Sequence, residues 1–282
     1  MIFTAYKTQS LDTSIEVEYI QFKLWRSLPL WKKAELVSNW TKGCWEMCLN
    51  AIQHRYPDAT LTKIRGEFAR LTLDKITSEW IFQQDSAQPL MLTDPISLAL
   101  AIADILNHLE IPYLVGGSVA SSLLGEPRST QDIDLVADLP VEKVGLLIQA
   151  LQPRFYVIEE AIIEAIRYRQ CFNIIDNESL VKADIFILKD DPFNQIEFHR
   201  RQALIVRQKP ERFLFLSTPE DIILQKLIWH RIGYGSEKQW RDILGVIKLQ
   251  GEKLDLIYLQ QWAETLQLLE TLNRALTESG LK

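Results

Sequence analysis

Apolar residues fall at helical spacing through the first third of the chain and then change rhythm. Ile15, Tyr19, Phe22 and Trp25 form one stripe, which Leu28-Pro29 interrupts. Residues three and four apart share a helix face, so the spacing predicts a helix over 15–25. A second stripe of Ala34, Val37, Trp40, Cys44, Cys48 and Ile52 predicts a helix from Leu30 to Ile52. Its tryptophans, with Trp25, Trp31 and Trp45, are expected in a helical core. Tyr56-Pro57-Asp58 ends that helix, because the residue before a proline avoids the helical region. Leu61, Ile64, Phe68 and Leu71 predict a third helix over 60–73. The less regular stretch 83–91 marks a boundary, so residues 1–90 read as a separate all-α domain.

Beyond it, short apolar runs alternate with helical stripes. Asp94-Pro95 is a start signal, with proline in the first turn, for a helix reaching His108. Pro112–Val115 reads as a strand entering the turn Gly116-Gly117-Ser118, and 118–124 as the helix leaving it. Strands are predicted at 133–137, 155–158, 171–175, 180–188 and 195–206. Helices are predicted at 140–151 and 218–232, with a helix or loop around 160–166. At 218, Thr218 caps, Pro219 opens the turn and Glu220 and Asp221 favour its dipole. Gly233-Tyr234-Gly235-Ser236 breaks that helix, and three more follow at 237–249, 255–266 and 268–276. The fold class is α+β: a mixed sheet flanked by helices over 91–217, then a C-terminal helical bundle over 218–282.

Composition narrows the class. With 282 residues, 47% hydrophobic and 24% charged, the chain can bury a large core. A formal net charge of −6 argues against wholesale coating of nucleic acid, though not against a local basic cleft. Three cysteines make no disulfide framework and fit a reducing compartment. Cys44, Cys48 and His54 are too few for a zinc site, so the cysteines are expected to be buried small side chains. No apolar run reaches the length of a membrane span, and the start lacks a charged segment followed by an apolar one, so cytoplasm is expected.

Chemistry concentrates in three carboxylates. Asp132 and Asp134 alternate along a predicted strand and therefore share a face. Asp184 stands in the apolar strand Ala183-Asp184-Ile185. Carboxylates side by side repel unless a cation stands between them, and hard oxygen ligands select Mg²⁺ or Mn²⁺. Gly116 and Gly117 allow close backbone approach to an anion, and Ser118 opens a helix whose N-terminus favours one. Singly, a Gly-Gly-Ser turn or an Asp-x-Asp pair is weak: most such turns are only turns, and most such pairs are solvated. Their order on strand, turn, helix and strand, with a later strand acid, is what gives them weight.

That order resembles the nucleotidyltransferase superfamily that includes DNA polymerase β. Its Gly-Gly/Ser motif stands here as Val115-Gly116-Gly117-Ser118, its Asp-x-Asp signature as Asp132-Ile133-Asp134-Leu135, and its third acid as Asp184. Arg128, Thr130 and Asp132 match the form in which an arginine and a threonine precede the signature. The resemblance covers residues 95–250. Within the superfamily, Lys226 and the pair Arg241-Asp242 look most like the AbiEii-type toxin branch, here with an additional N-terminal helical domain.

The resemblance implies metal-dependent transfer of a nucleoside monophosphate from an NTP to an acceptor hydroxyl. Asp132, Asp134 and Asp184 would be the metal ligands, with Asp184 also facing the acceptor. Gly116, Gly117, Ser118, Arg128 and Lys226 would bind the nucleotide, and Asp242 would orient Lys226 or meet the acceptor. Plain structural readings stand beside these. Lys226 suits a surface lysine on an amphipathic helix, Asp242 a helix first turn, and Arg128 a partner for Glu126. Five basic residues, Arg200, Arg201, Arg207, Lys209 and Arg212, suit either a solvated strand edge or contact with an RNA backbone. RNA, tRNA in particular, is then the leading acceptor, and the toxin resemblance adds a cognate antitoxin as partner. The alternatives are a small-molecule or protein acceptor, or a non-catalytic nucleotide- or partner-binding module.

Overall fold

The structure, a computed structural model, describes residues 5–73, 75, 78–79 and 89–281. Among these the chain forms α1 (Ile15–Ser27), α2 (Leu30–Arg55), α3 (Leu61–Thr72), α4 (Pro95–His108), β1 (Tyr113–Val115) and α5 (Gly117–Leu124). Then come β2 (Ile133–Ala137), α6 (Val144–Leu151), β3 (Phe155–Tyr156), α7 (Glu159–Tyr168), β4 (Cys171–Asp176) and β5 (Lys182–Ile187). The last third holds α8 (Pro192–Arg200), β6 (Gln202–Gln208), β7 (Glu211–Leu216), α9 (Pro219–Ile232), α10 (Glu237–Gln250), α11 (Leu256–Thr265) and α12 (Leu269–Glu278). The fold is thus mixed α and β. Most of the irregular stretch 83–91 lies outside the described residues. No helix among them is long and apolar enough to cross a membrane.

The chain clusters into two compact units. One holds residues 1–36, 114–128 and 189–282; the other holds 37–113 and 129–188.

In the second unit the strands lie in the order β3-β4-β5-β2. β2 and β5 are parallel, while β4 is antiparallel to both β3 and β5. Ile133, Leu135, Ala183, Ile185, Phe172 and Ile174 alternate onto one buried face. α7 packs on β4 and β5, and α6 packs between α7 and α4. The other face carries the polar residues of β2 and β5. α2 buries Val37, Thr41, Trp45 and Ile52, whereas Trp40 is 43% exposed. The inward stripe therefore runs through Thr41 and Trp45, not through Trp40 and Cys44 as expected. Cys44 is exposed and Cys48 half-buried. Trp25 and Trp31 are only partly covered, so Trp45 alone of the four tryptophans is fully in a core. Thr41 explains the shifted stripe: its hydroxyl donates to the Val37 carbonyl at 2.8 Å and accepts from the Thr130 amide at 3.2 Å. It ties α2 to the segment leading into Asp132. Arg65 on α3 likewise donates to the Asn177 carbonyl, between β4 and β5, at 2.8 Å.

In the first unit β7 lies between β1 and β6. β1 is parallel to β7 with Val115 opposite Leu216, and β6 and β7 form an antiparallel hairpin. The strand expected over 195–206 is overturned. Residues 192–200 are the helix α8, capped by Asp191, whose side chain accepts from the Asn194 amide, with Pro192 in the first turn. This is the same signal that starts α4, overridden in the sequence reading by the apolar run that follows. β6 begins only at Gln202.

Two features lock this unit. Glu18 on α1 and Lys248 on α10 meet at 2.5 Å with side chains 1% and 2% exposed. Tyr6 donates to the same carboxylate at 2.6 Å and the Gln9 amide reaches its other oxygen at 2.5 Å. Where α5 ends, a Cβ on Gly125 would stand 2.7 Å from the Ser121 carbonyl oxygen and 2.8 Å from the Val246 amide. A Cβ on Gly245 would stand 3.2 Å from the Glu126 amide. The end of α5 and the middle of α10 therefore meet backbone to backbone.

Removing one partner of a buried ion pair strands the other charge. Glu18→Ala is expected to lower unfolding free energy by about 3–5 kcal/mol, measured by urea denaturation. The double change Glu18→Leu with Lys248→Met should recover most of that loss.

Candidate functional site

The first unit gathers the glycine turn and the basic residues. β1 ends at Val115 beside Leu216, so Gly116 lies next to Ser217, whose hydroxyl would be 3.9 Å from a Cβ there. Gly117 has φ of +55°, a left-handed conformation that glycine adopts without penalty. The turn thereby delivers the chain into α5, with Ser118 in its first turn. Gly116 and Gly117 have no side chains to obstruct an anion approaching that N-terminus.

Behind the turn, one carboxylate collects three side chains. Asp242 accepts from Arg128 through both oxygens, at 2.8 Å each. It also pairs with Lys226 at 2.8 Å and accepts from the Ser121 hydroxyl at 3.0 Å. Arg128 reaches on to the Ser118 hydroxyl at 3.2 Å. Burial alone would raise the Asp242 carboxyl. The hydrogen bond from Arg128 and the charge of Lys226 outweigh it and hold Asp242 below the usual carboxylate range.

This geometry decides several alternatives. Lys226 is 3% exposed, so it is not a surface lysine. Asp242 is the sixth residue of α10, beyond the first turn where the helix dipole acts. Arg128 pairs with Asp242, and Glu126 takes Arg241 at 2.7 and 2.9 Å. The members of this cluster come from α5, the loop after it, α9 and α10. Ser121 was not anticipated; its signal is its place one turn after Ser118 on α5.

The second unit carries the carboxylates. In the register of β2 and β5, Asp134 stands directly opposite Asp184, and Asn173 of β4 is opposite Asp184 on its other side. Asp132 lies just before β2, two residues from Asp134 and on the same face. All three carboxylates are half-buried. Among the described residues no three acidic, cysteine or histidine side chains already surround a cation position.

Lys182 is the residue that sequence reasoning missed. It lies two before Asp184, on the same face, and its ammonium stands 2.9 Å from Oδ1 and 3.0 Å from Oδ2 of Asp184. Burial opposes that charge, yet the hydrogen bond and charge of Asp184, with Asp132 behind them, raise its pKa. The period-2 rule that joined Asp132 to Asp134 also joins Lys182 to Asp184. Cys171 is pushed up to about 12, first by burial and then by Asp184, so its thiol stays neutral. Carboxylate oxygens are of the hard kind that take Mg²⁺ or Mn²⁺, so the chemistry of the donors, though not a formed cation site, suits a divalent cation.

No family model and no curated protein matches the chain. Solved structures do. One is an antigenic nucleotidyltransferase-like protein from Paracoccidioides brasiliensis, 21% identical over 67% of this chain and 94% of that one, with a TM-score of 0.43. The antibiotic-resistance factor ANT(2'')-Ia is 14% identical over 63% and 96%, with a TM-score of 0.38. JHP933 from Helicobacter pylori is 15% identical over 68% and 83%, with a TM-score of 0.36. These are distant likenesses, and the chemistry below is argued from the side chains themselves.

One buried acid supports the glycine turn from below. Glu197 on α8 accepts from the Ser217 hydroxyl at 2.9 Å and from the Gln225 amide at 2.6 Å. Burial pushes it up to about 7, with Asp221 and Asp191 adding to the rise, against its hydrogen bonds. The folded state thus holds this proton more tightly than the unfolded chain. Its contribution to stability is present below the ordinary value of 4.5 and is lost as pH rises to about 7. Glu197→Gln should remove that loss. The gap in Tm between wild type and variant is expected to move against the wild type across this window and then level off; a gap independent of pH would contradict it.

Proposed function

We propose that this protein is a nucleotidyltransferase that moves a nucleoside monophosphate from an NTP to an acceptor hydroxyl. The observation that carries the reading is the rung Asp134–Asp184, with Asp132 beside it on the same face of the sheet. Three half-buried acids gathered on one face are costly for a merely structural sheet, since such acids destabilise unless compensated. The arrangement suits a site that meets a cation and a polyphosphate together.

Asp132, Asp134 and Asp184 would hold Mg²⁺ or Mn²⁺, which when bound would offset the charge of the triphosphate. The backbone N–H groups at Gly116 and Gly117 and the first turn of α5 would bind phosphate oxygens. Arg128 and Lys226, both held at Asp242, would present their positive charge to phosphate. Asp242 is then a positioning residue, fixing both cations. Asp184 would take the proton of the acceptor hydroxyl, its carboxylate aimed by Lys182. In the transfer the acceptor oxygen bonds to the α-phosphorus, the bond to the bridging oxygen breaks, and pyrophosphate leaves. The acceptor class we assign is RNA, supported by the basic residues Arg201, Arg207, Lys209 and Arg212 in a chain of net charge −6.

The test is transfer of label from each NTP, with Mg²⁺, to separate pools of RNA, small molecules and protein. Asp134→Asn should reduce transfer by a hundredfold or more, on the order seen when a preorganised charge-stabilising group is lost. Absence of transfer to every pool, or transfer untouched by Asp134→Asn, would sink the proposal. Transfer to small molecules alone would leave the chemistry standing and replace RNA as the acceptor.

A further inference from the structure

Trp45 on α2 is 2% exposed, and its indole N–H has no hydrogen-bond partner among the described residues. A buried donor left unpaired costs free energy, so native interiors rarely keep one. Space for a partner lies beside it. Trp45, Phe68 of α3, Gln131, Leu180, Val181 and Lys182 line a small cleft, with Thr72 at the end of α3. About 10 Å³ of it is open to the centre of a water molecule, roughly the room that one oxygen atom needs. Trp45, Phe68, Leu180 and Val181 are buried, Lys182 is half-buried and Gln131 is exposed. The cleft therefore has an apolar floor and a polar mouth. Other polar groups of the lining are committed: Thr72 donates to the Phe68 carbonyl at 3.0 Å, and Lys182 is held by Asp184. The mouth adjoins the acid face, since Gln131 immediately precedes Asp132 and Lys182 lies on the strand of Asp184.

Size and the single unpaired donor fix what the cleft can take. A planar ring is too large to enter, and a ring nitrogen lies flush with the ring edge. An exocyclic oxygen projects beyond that edge and fits. A hydroxyl would bring a hydrogen of its own into an apolar floor, whereas a carbonyl oxygen only accepts. Uracil, cytosine and guanine carry such an oxygen, and adenine does not. We infer that this cleft receives the base carbonyl of a bound nucleotide, which accepts the Trp45 indole N–H while the ring lies at the mouth against Gln131. As a substrate subsite beside Asp132 and Asp184 this rests on the nucleotidyltransferase reading; as a base-recognition pocket it does not. Either the incoming NTP or a nucleotide of an RNA acceptor can supply the oxygen, and the chemistry is the same. The helices α2 and α3 thereby take part in choosing the base.

The experiment is ¹H–¹⁵N NMR of the full chain with ¹⁵N-labelled tryptophan, which gives one indole signal for each of its eight tryptophans. The Trp45 signal is the one lost in Trp45→Phe. Single-stranded oligouridylate or UTP should move it downfield, as a new acceptor does. Oligoadenylate of the same length and ATP should not. Trp45→Phe keeps an aromatic ring without the donor and should weaken binding of the uracil ligand roughly two- to tenfold, the worth of one hydrogen bond. Gln131→Trp, at an exposed position, should block the mouth and weaken it likewise. If the thermal unfolding curve shows that Trp45→Phe does not fold, the wild-type titration decides, with Trp45 assigned through bonds. A Trp45 signal unmoved by both uracil ligands would overturn the proposal and leave a water as the occupant. An equal shift with the adenine ligands, or a shift lost when oligodeoxyuridylate replaces oligouridylate, would overturn it too. A shift with UTP alone assigns the pocket to the incoming nucleotide, and one with oligouridylate alone to the acceptor; either supports it. If the signal moves yet no pool of acceptors receives nucleotide, the enzyme reading fails and the pocket stands. If RNA receives nucleotide and the signal never moves, the pocket fails and the enzyme reading stands.

Discussion

A carboxylate buried at 6% exposure has to be neutralised where it sits, and Asp242 organises the first unit around that need. Its two oxygens are shared among Arg128, Lys226 and Ser121, which arrive from a loop, from α9 and from α5. None of these side chains can relax without leaving a charge or a polar atom unsatisfied in an apolar setting. The consequence is positional precision. Lys226 is fixed on a buried stretch of α9, and Arg128 is fixed four residues ahead of Asp132 along the chain. Through Ser118 the same cluster reaches the first turn of α5, which the Gly116-Gly117 turn opens.

The second unit meets the opposite difficulty. Here acids are in surplus, because strand alternation places Asp132, Asp134 and Asp184 on one face while their neighbours fill the core on the other. Lys182 answers part of it from inside the same strand. In each unit the charged side chains sit on elements whose other face is packed in an apolar core.

The chain discloses these features unevenly. Helix starts were legible wherever a cap and a proline coincide, as at Asp94-Pro95 and Thr218-Pro219, because both act within one turn. The strands bearing Asp134 and Asp184 were legible because alternation is local. The Asp191-Pro192 start of α8 carries the same signal but was masked by the apolar run into β6. In α2 the inward stripe could not be read from hydrophobicity alone: Thr41 goes inward for its hydrogen bonds, and Trp40 stays partly in solvent. Pairings over long sequence separation, such as Arg128 with Asp242 and Arg241 with Glu126, depend on helix packing that no local pattern encodes. Lys182 was within reach, since the rule that grouped the acids applies to it as well.

The contact at Gly125 and Gly245 carries a different implication. Where two segments touch through side chains, a small displacement of one is absorbed by rotamer changes in the other. At Gly125 main chain meets main chain, with no side chain between them to give way. A shift of α10 toward the end of α5 would therefore drive backbone into backbone, and Asp242 and Ser121, hydrogen-bonded across the crossing, would have to shift together. A ligand pressing on the glycine turn would be felt along α10 as far as Lys248, and so at the buried anchor of α1.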